Sequence, residues 1–155
     1  MPRAKKLKPA GENGTITLLE IAAALREGVD AWPPHHYTSD IGHRCSLAEC
    51  LAALGQPEEC DALIARGRQD CWHYHRFRGR YAVAIQQHRR GEVAAARARI
   101  EAIDADVAAS GASGETLCVA RGASASAWHA LGEEARWRAA LTEAHEAAQL
   151  SLIHI

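Results

Sequence analysis

After position 8 the chain contains no lysine. Lys5, Lys6 and Lys8 are the only three among 155 residues, so every later basic side chain is an arginine or a histidine. Phenylalanine occurs once, aromatics make up 5% of the chain, and β-branched residues are few. That leaves little from which to build strands, whose pleated faces favour β-branched and aromatic side chains. No apolar run approaches the roughly 18 residues of a membrane-crossing helix. The N-terminus is basic, but Pro9, Gly11, Glu12 and Gly14 interrupt any apolar segment behind it, and no secretory leader is expected. The chain has no Cys-x-x-Cys pair, no glycine-rich phosphate loop, no nucleophile elbow and no His-Glu-x-x-His motif. These absences leave catalysis without a signature. His35 and His36 beside Trp32 read as polar groups of a proline-rich loop, and Cys118 and His129 have no triad context.

What the chain does have is alanine, 33 residues of it, which favours helix. The net charge of −1 excludes a polyanion mimic and a strongly basic nucleic-acid binder for the chain as a whole. Locally the balance shifts. Residues 66–90 hold seven arginines against the single acid Asp70, whereas acids dominate after residue 100. Five cysteines without a leader point to reduced thiols and a cytoplasmic protein. Residues 1–14 read as a basic tail, 15–149 as a single helical domain, and 150–155 as foreign. All six positions of LSLIHI (150–155) match the translation of a transposase adapter used in sequencing libraries, a scar to set aside from fold reasoning. On that reading the native protein continues past it.

The helical pattern is explicit. Thr17 and Glu20 form a capping box, with Ile16 and Ile21 at the staple positions, and Leu18, Ala22, Leu25 and Val29 fall on one stripe up to a stop at Gly28. Residues 32–44 carry two prolines and Gly42 and read as a loop. Ser46 and Glu49 read as a second capping box that opens helix 2, which ends at Gly55. Pro57 opens helix 3, which ends at Gly67. Helix 4 runs from Asp70 to Arg90, and helix 5 follows Gly91 with Val93, Ala96, Ile100, Ile103 and Val107 on its inner face. Helix 6 spans about 115–130. Helix 7 follows Gly132, with Trp137, Ala140, Leu141, Ala144 and Ala148 aligned.

Three of these breaks are alike. Gly55, Gly91 and Gly132 each separate two helices, at spacings of 36 and 41 residues, which suggests helical hairpins stacked as a short solenoid. Around them, Val83 and Ala84 with Ala96 and Ile100 follow the large–small pattern of the tetratricopeptide repeat, as do Leu47, Ala48, Leu51, Cys60 and Ile64. Ala125 and Trp128 agree in the third unit, while Trp137 stands where a small residue belongs. Residues 41–149 thus resemble that family, although no unit has its tryptophan or closing proline. The resemblance implies an all-α fold of about seven helices in antiparallel hairpins. It also implies a non-catalytic module whose groove holds a peptide or a partner helix.

The stretch CWHYHRFRGRY (71–81) raises two other readings. Cys71 and His75 stand four apart and share a helix face, half of a zinc site. Against this, free cysteines are commonly small buried hydrophobes, and Cys50 and Cys60 fall on apolar faces. Arg66, Arg68, Arg76, Arg78 and Arg80, interleaved with aromatics, could neutralise a nucleic-acid backbone. A helix-turn-helix over helices 2 and 3 is disfavoured by Leu51 and Asp61 at positions that want a small and an apolar residue. Phe77 and Tyr81 lie on a stripe with Tyr74 and Ile85 that packs inward, so the aromatics are not free to stack on bases. No cofactor is expected, and zinc is the one alternative. The candidate partners are an unidentified protein or peptide, a nucleic acid, and a second copy of the chain if it is truncated. No membrane partner is expected.

Overall fold

Thr17 closes the first turn of the first helix as the sequence prescribes. Its backbone N–H donates to Glu20 Oε2 at 2.9 Å, and the Glu20 N–H donates to Thr17 Oγ1 at 3.3 Å. The staple isoleucines remain largely in solvent, with Ile16 54% and Ile21 40% exposed. The computed structural model describes residues 16–31, 39–66 and 73–152. The helices in it are α1 (Leu18–Ala31), α2 (Ser39–Ala53), α3 (Glu58–Ala65), α4 (His73–Arg89), α5 (Val93–Ala109), α6 (Gly114–Ala130) and α7 (Glu134–Leu152). Among the described residues there is no strand, and no helix is long and apolar enough to cross a membrane.

Three boundaries differ from expectation. α1 passes through Gly28 to Ala31. α2 begins at Ser39, inside the expected loop, and Ser46 is an exposed mid-helix residue rather than a cap. A mid-helix glycine costs only about 1 kcal/mol relative to alanine. Here Gly42 is outweighed by Ile41, which is 2% exposed, and by the Arg44–Asp40 ion pair at 2.8 Å one turn apart. α3 ends at Ala65, before Gly67.

The three glycine turns have one geometry. Gly55, Gly91 and Gly132 adopt φ of 82°, 86° and 73°, the left-handed region that only glycine enters freely. In each, the N–H of the residue after the glycine bonds back to the carbonyl five before it: Gln56 to Leu51, Glu92 to Gln87, Glu133 to Trp128. This is the six-to-one bond of a Schellman stop. The three hairpins α2–α3, α4–α5 and α6–α7 are therefore in register.

Their stacking follows one rule. The first helices form a row, α2 against α4 and α4 against α6, and each second helix also packs on the next first helix, α3 on α4 and α5 on α6. α1 packs on α2 ahead of the row. The second helices are joined to one another by ion pairs instead of packing: Arg99–Asp61 at 2.6 Å links α5 to α3, and Arg136–Glu101 at 2.6 Å links α7 to α5. Arg97 and Glu133 add a close pair.

Leu47, Ala48 and Leu51 of the first hairpin, with Cys60 and Ile64, make one buried cluster that Val83 joins. Tyr81, Ala84, Ile100, Ile103, Val107 and Trp128 make the second. Each fully buried isoleucine contributes about 1.5–3 kcal/mol relative to exposure. Three stripe residues expected inside lie partly outside: Leu18 is 37%, Val93 47% and Leu141 49% exposed. Val93 sits in the first turn of α5, short of the next helix. Leu141 lies on the hairpin that has no successor in the described row.

Candidate functional site

Of the arginines singled out in the sequence, Arg76 and Arg80 share a cleft, while Arg66 and Arg78 each line another. Arg66 caps the C-terminus of α3 and lines a cleft of about 410 Å³ with Arg26, Asp30 and Glu59, between α1 and α3. Arg76 and Arg80 line a separate cleft of about 360 Å³ with Phe77, Ile64 and Asp61, on the α3 side of α4. Arg78 lines a different cleft of about 230 Å³ with Cys45, Glu49 and Gly79 on the α2 side. Arg80 is paired with Asp106 at 2.7 Å. Arg68 and Cys71 lie outside the described residues, as does the side chain of His75, so the Cys71–His75 zinc reading falls there too. Among the described residues no three His, Cys, Asp or Glu side chains gather around a common point.

The densest polar cluster lies elsewhere, around Asp104 of α5. Tyr81 of α4 donates its phenol to Oδ1 at 2.6 Å, Ser124 of α6 donates to the same oxygen at 2.7 Å, and the Trp128 indole N–H donates to Oδ2 at 2.9 Å. Arg121 approaches Oδ1 at 3.4 Å and pairs with Glu143 at 2.6 Å. Arg136 lies over the Trp128 ring, 4.4 Å from its centroid, while holding Glu101. Burial, reinforced by the bond to Asp104, pushes the Tyr81 phenol above its ordinary range. Beside these groups runs an open cleft of about 350 Å³ between α5 and α7, floored by α6.

Chemically the cluster is closed. Four donors converge on one carboxylate and occupy its acceptor positions. It fastens α4, α5 and α6 at a single point. Sequence reasoning missed it because Tyr81 and Trp128 each fit an apolar stripe. A signal was present in the hairpin register. Ser124, eight residues before its turn glycine, stands where the other hairpins have Leu47 and Val83, and it is fully buried. A buried serine, tyrosine and tryptophan each require a hydrogen-bond partner. A second missed pattern is an arginine eleven residues before every turn glycine: Arg44, Arg80 and Arg121. Each is paired with an acid, namely Asp40, Asp106 and Glu143.

The described cysteines, Cys45, Cys50, Cys60 and Cys118, form no disulfide. Cys60 is fully buried and donates its S–H to the Ala48 carbonyl at 3.1 Å. Burial pushes its thiol up to about 11, and that of Cys45 up to about 12. Both are held as thiols at neutral pH, the form of a packing residue.

No protein-family model matches the chain, and neither a curated protein nor a solved structure matches it.

Proposed function

We propose that this protein is a non-catalytic helical scaffold that binds other proteins through the faces of its stacked hairpins, as the tetratricopeptide repeat does. The observation that carries the reading is the repetition: one turn geometry and one packing rule in three successive hairpins. Such arrays are open-ended, and they present extended faces that hold peptides or helices. The saturation of Asp104 supports it further, because the best-assembled polar cluster is engaged internally.

Selection of displayed peptides against the immobilised protein tests this reading. It should enrich sequences with helical apolar spacing that bind with micromolar dissociation constants in calorimetry. Failure to enrich beyond an unrelated helical bundle overturns it. Mixed-sequence DNA and RNA serve as the competing ligands. A low-salt mobility shift abolished by Arg76→Glu/Arg80→Glu would transfer the function to nucleic acid, though these two arginines line a different cleft from Arg78 and from Arg66.

A further inference from the structure

One slot recurs over the first helix of a hairpin. The cleft between α1 and α3 and the cleft between α5 and α7 are lined from the same register positions. Among them are Arg44 and Arg121, eleven residues before the turn glycine, and Leu63 and Ala140, eight after it. The middle hairpin shows what can fill such a slot. Its residue eight after the glycine is Arg99, whose side chain is only 17% exposed. Arg99 Nε donates to Gln87, four before the glycine, at 2.7 Å, and Nη1 crosses to Asp61 on the preceding second helix at 2.6 Å. In the last hairpin Trp128 and Ala140 take the places of Gln87 and Arg99, and both line the open cleft of about 350 Å³. The small side chain of Ala140 leaves room where the arginine lies one hairpin earlier.

A following helix would not close this cleft. α4 packs on both α2 and α3, yet none of its described residues lines the equivalent cleft between α1 and α3. A helix packed on α6 and α7 by the same rule leaves the α5–α7 cleft open in the same way.

The charges of the cleft select its occupant. Three carboxylates, Glu101, Asp104 and Glu143, line it against two guanidiniums, Arg121 and Arg136. Asp104 is saturated. Glu101 and Glu143 are each held by one arginine, through Oε1 and Oε2 respectively, and their side chains are 47% and 50% exposed. A half-exposed carboxylate with one partner keeps acceptor capacity. Glu101 stands on α5 and Glu143 on α7, so a cation entering the cleft meets acceptors from both walls. A planar guanidinium with five donors can serve two carboxylates at once.

We propose that the cleft between α5 and α7 takes an arginine side chain of a partner protein, lying as Arg99 lies in the preceding hairpin. The proposal rests on the scaffold reading and names the chemistry that the partner presents there.

Magnetic-resonance titration of the isotope-labelled protein with N-acetylarginine methylamide tests it. The Trp128 indole N–H and the Ala139 and Ala140 amides should shift saturably. The citrulline analogue has nearly the same shape without the charge and should leave them in place. Glu143→Gln alters a half-exposed side chain and should weaken binding about threefold, the effect of one such charge pair. Ala140→Arg should fill the cleft from within, as Arg99 does, and abolish the shifts while the helical circular dichroism persists. Four results overturn the proposal: no shift with the arginine derivative, equal shifts with citrulline, an affinity unchanged in Glu143→Gln, and shifts of the same groups with N-acetylglutamate methylamide instead. A protein that binds its selected peptides but shows no response to the arginine derivative loses this site and keeps the scaffold reading.

Discussion

Gly79 of α4 lies directly on Cys45 of α2: a Cβ built on the glycine would stand 2.8 Å from the cysteine Cβ and closer still to its sulfur. The first two hairpins cross at this point, and the missing side chain sets how near their axes come. Gly79→Ala improves helix propensity by about 1 kcal/mol. It also forces apart a packed crossing, where overpacking costs about 1–3 kcal/mol. The net expectation is destabilisation of about 1 kcal/mol in urea unfolding, with Cys45→Ala in the same chain recovering part of it. A stabilised Gly79→Ala variant would show that the crossing yields freely.

Asp104 accepts from Tyr81, Ser124 and Trp128, on two different helices. Removing the carboxylate orphans several buried donors at once, so Asp104→Ala should lower unfolding free energy by about 3 kcal/mol. Asp104→Asn should cost less, since its amide oxygen still accepts. Trp128→Phe, which deletes one donor, should cost no more than the loss of its hydrogen bond and a small change in packing. The loss in the Asp104→Ala/Trp128→Phe double variant should fall short of the sum of the single losses.

The buried thiols make stability depend on alkaline pH. Cys60 rises from 9.0 to about 11 in the folded chain. The folded state therefore holds this proton more tightly than the unfolded chain does. The resulting stability is complete below pH 9.0 and disappears as pH climbs toward about 11. Cys45 acts in the same direction up to about 12, and Tyr81, also raised, adds its share above 10.0. Unfolding free energy should be level near neutrality and fall above pH 9, with a shallower fall in Cys60→Ala. Iodoacetamide at mildly alkaline pH should leave Cys60 unlabelled until urea is added.

The turn glycines should differ in sensitivity. At Gly91 an added methyl meets nothing, so Gly91→Ala should carry only the left-handed backbone penalty of about 1–2 kcal/mol. At Gly55 the methyl would also stand 2.6 Å from the Arg90 guanidinium carbon, while Arg90 Nη1 donates to the Ala53 carbonyl at the end of α2. Gly55→Ala should therefore be the worse of the two in thermal unfolding, and Arg90→Ala should narrow the gap.

Much of this architecture can be read along the chain, and the reason is locality. Helix starts and stops are decided within a few residues, by the Thr17–Glu20 box and by glycines that alone enter positive φ. Those signals give the helix type, the three turns and their shared register. Where a turn or capping signal met burial and an ion pair within the helix, the turn or capping signal lost. Gly42 and the Ser46–Glu49 pattern argue for a loop and a later helix start, and burial of Ile41 with the Asp40–Arg44 pair carries α2 through both.

The polar chemistry was not legible in the same way. Tyr81, Asp104, Ser124 and Trp128 meet across 20 to 24 residues or more of sequence, and no local rule marks them as one cluster. The arginines of 66–90 look like one basic strip in the sequence, but four of them, Arg66, Arg76, Arg78 and Arg80, are divided among three clefts. By itself, then, the sequence determined an all-helical chain with three registered glycine turns, because backbone propensity and capping act between near neighbours. Only the tertiary structure decided which charges are engaged and which stripe residues are buried, because ion pairing and burial depend on distances that packing creates.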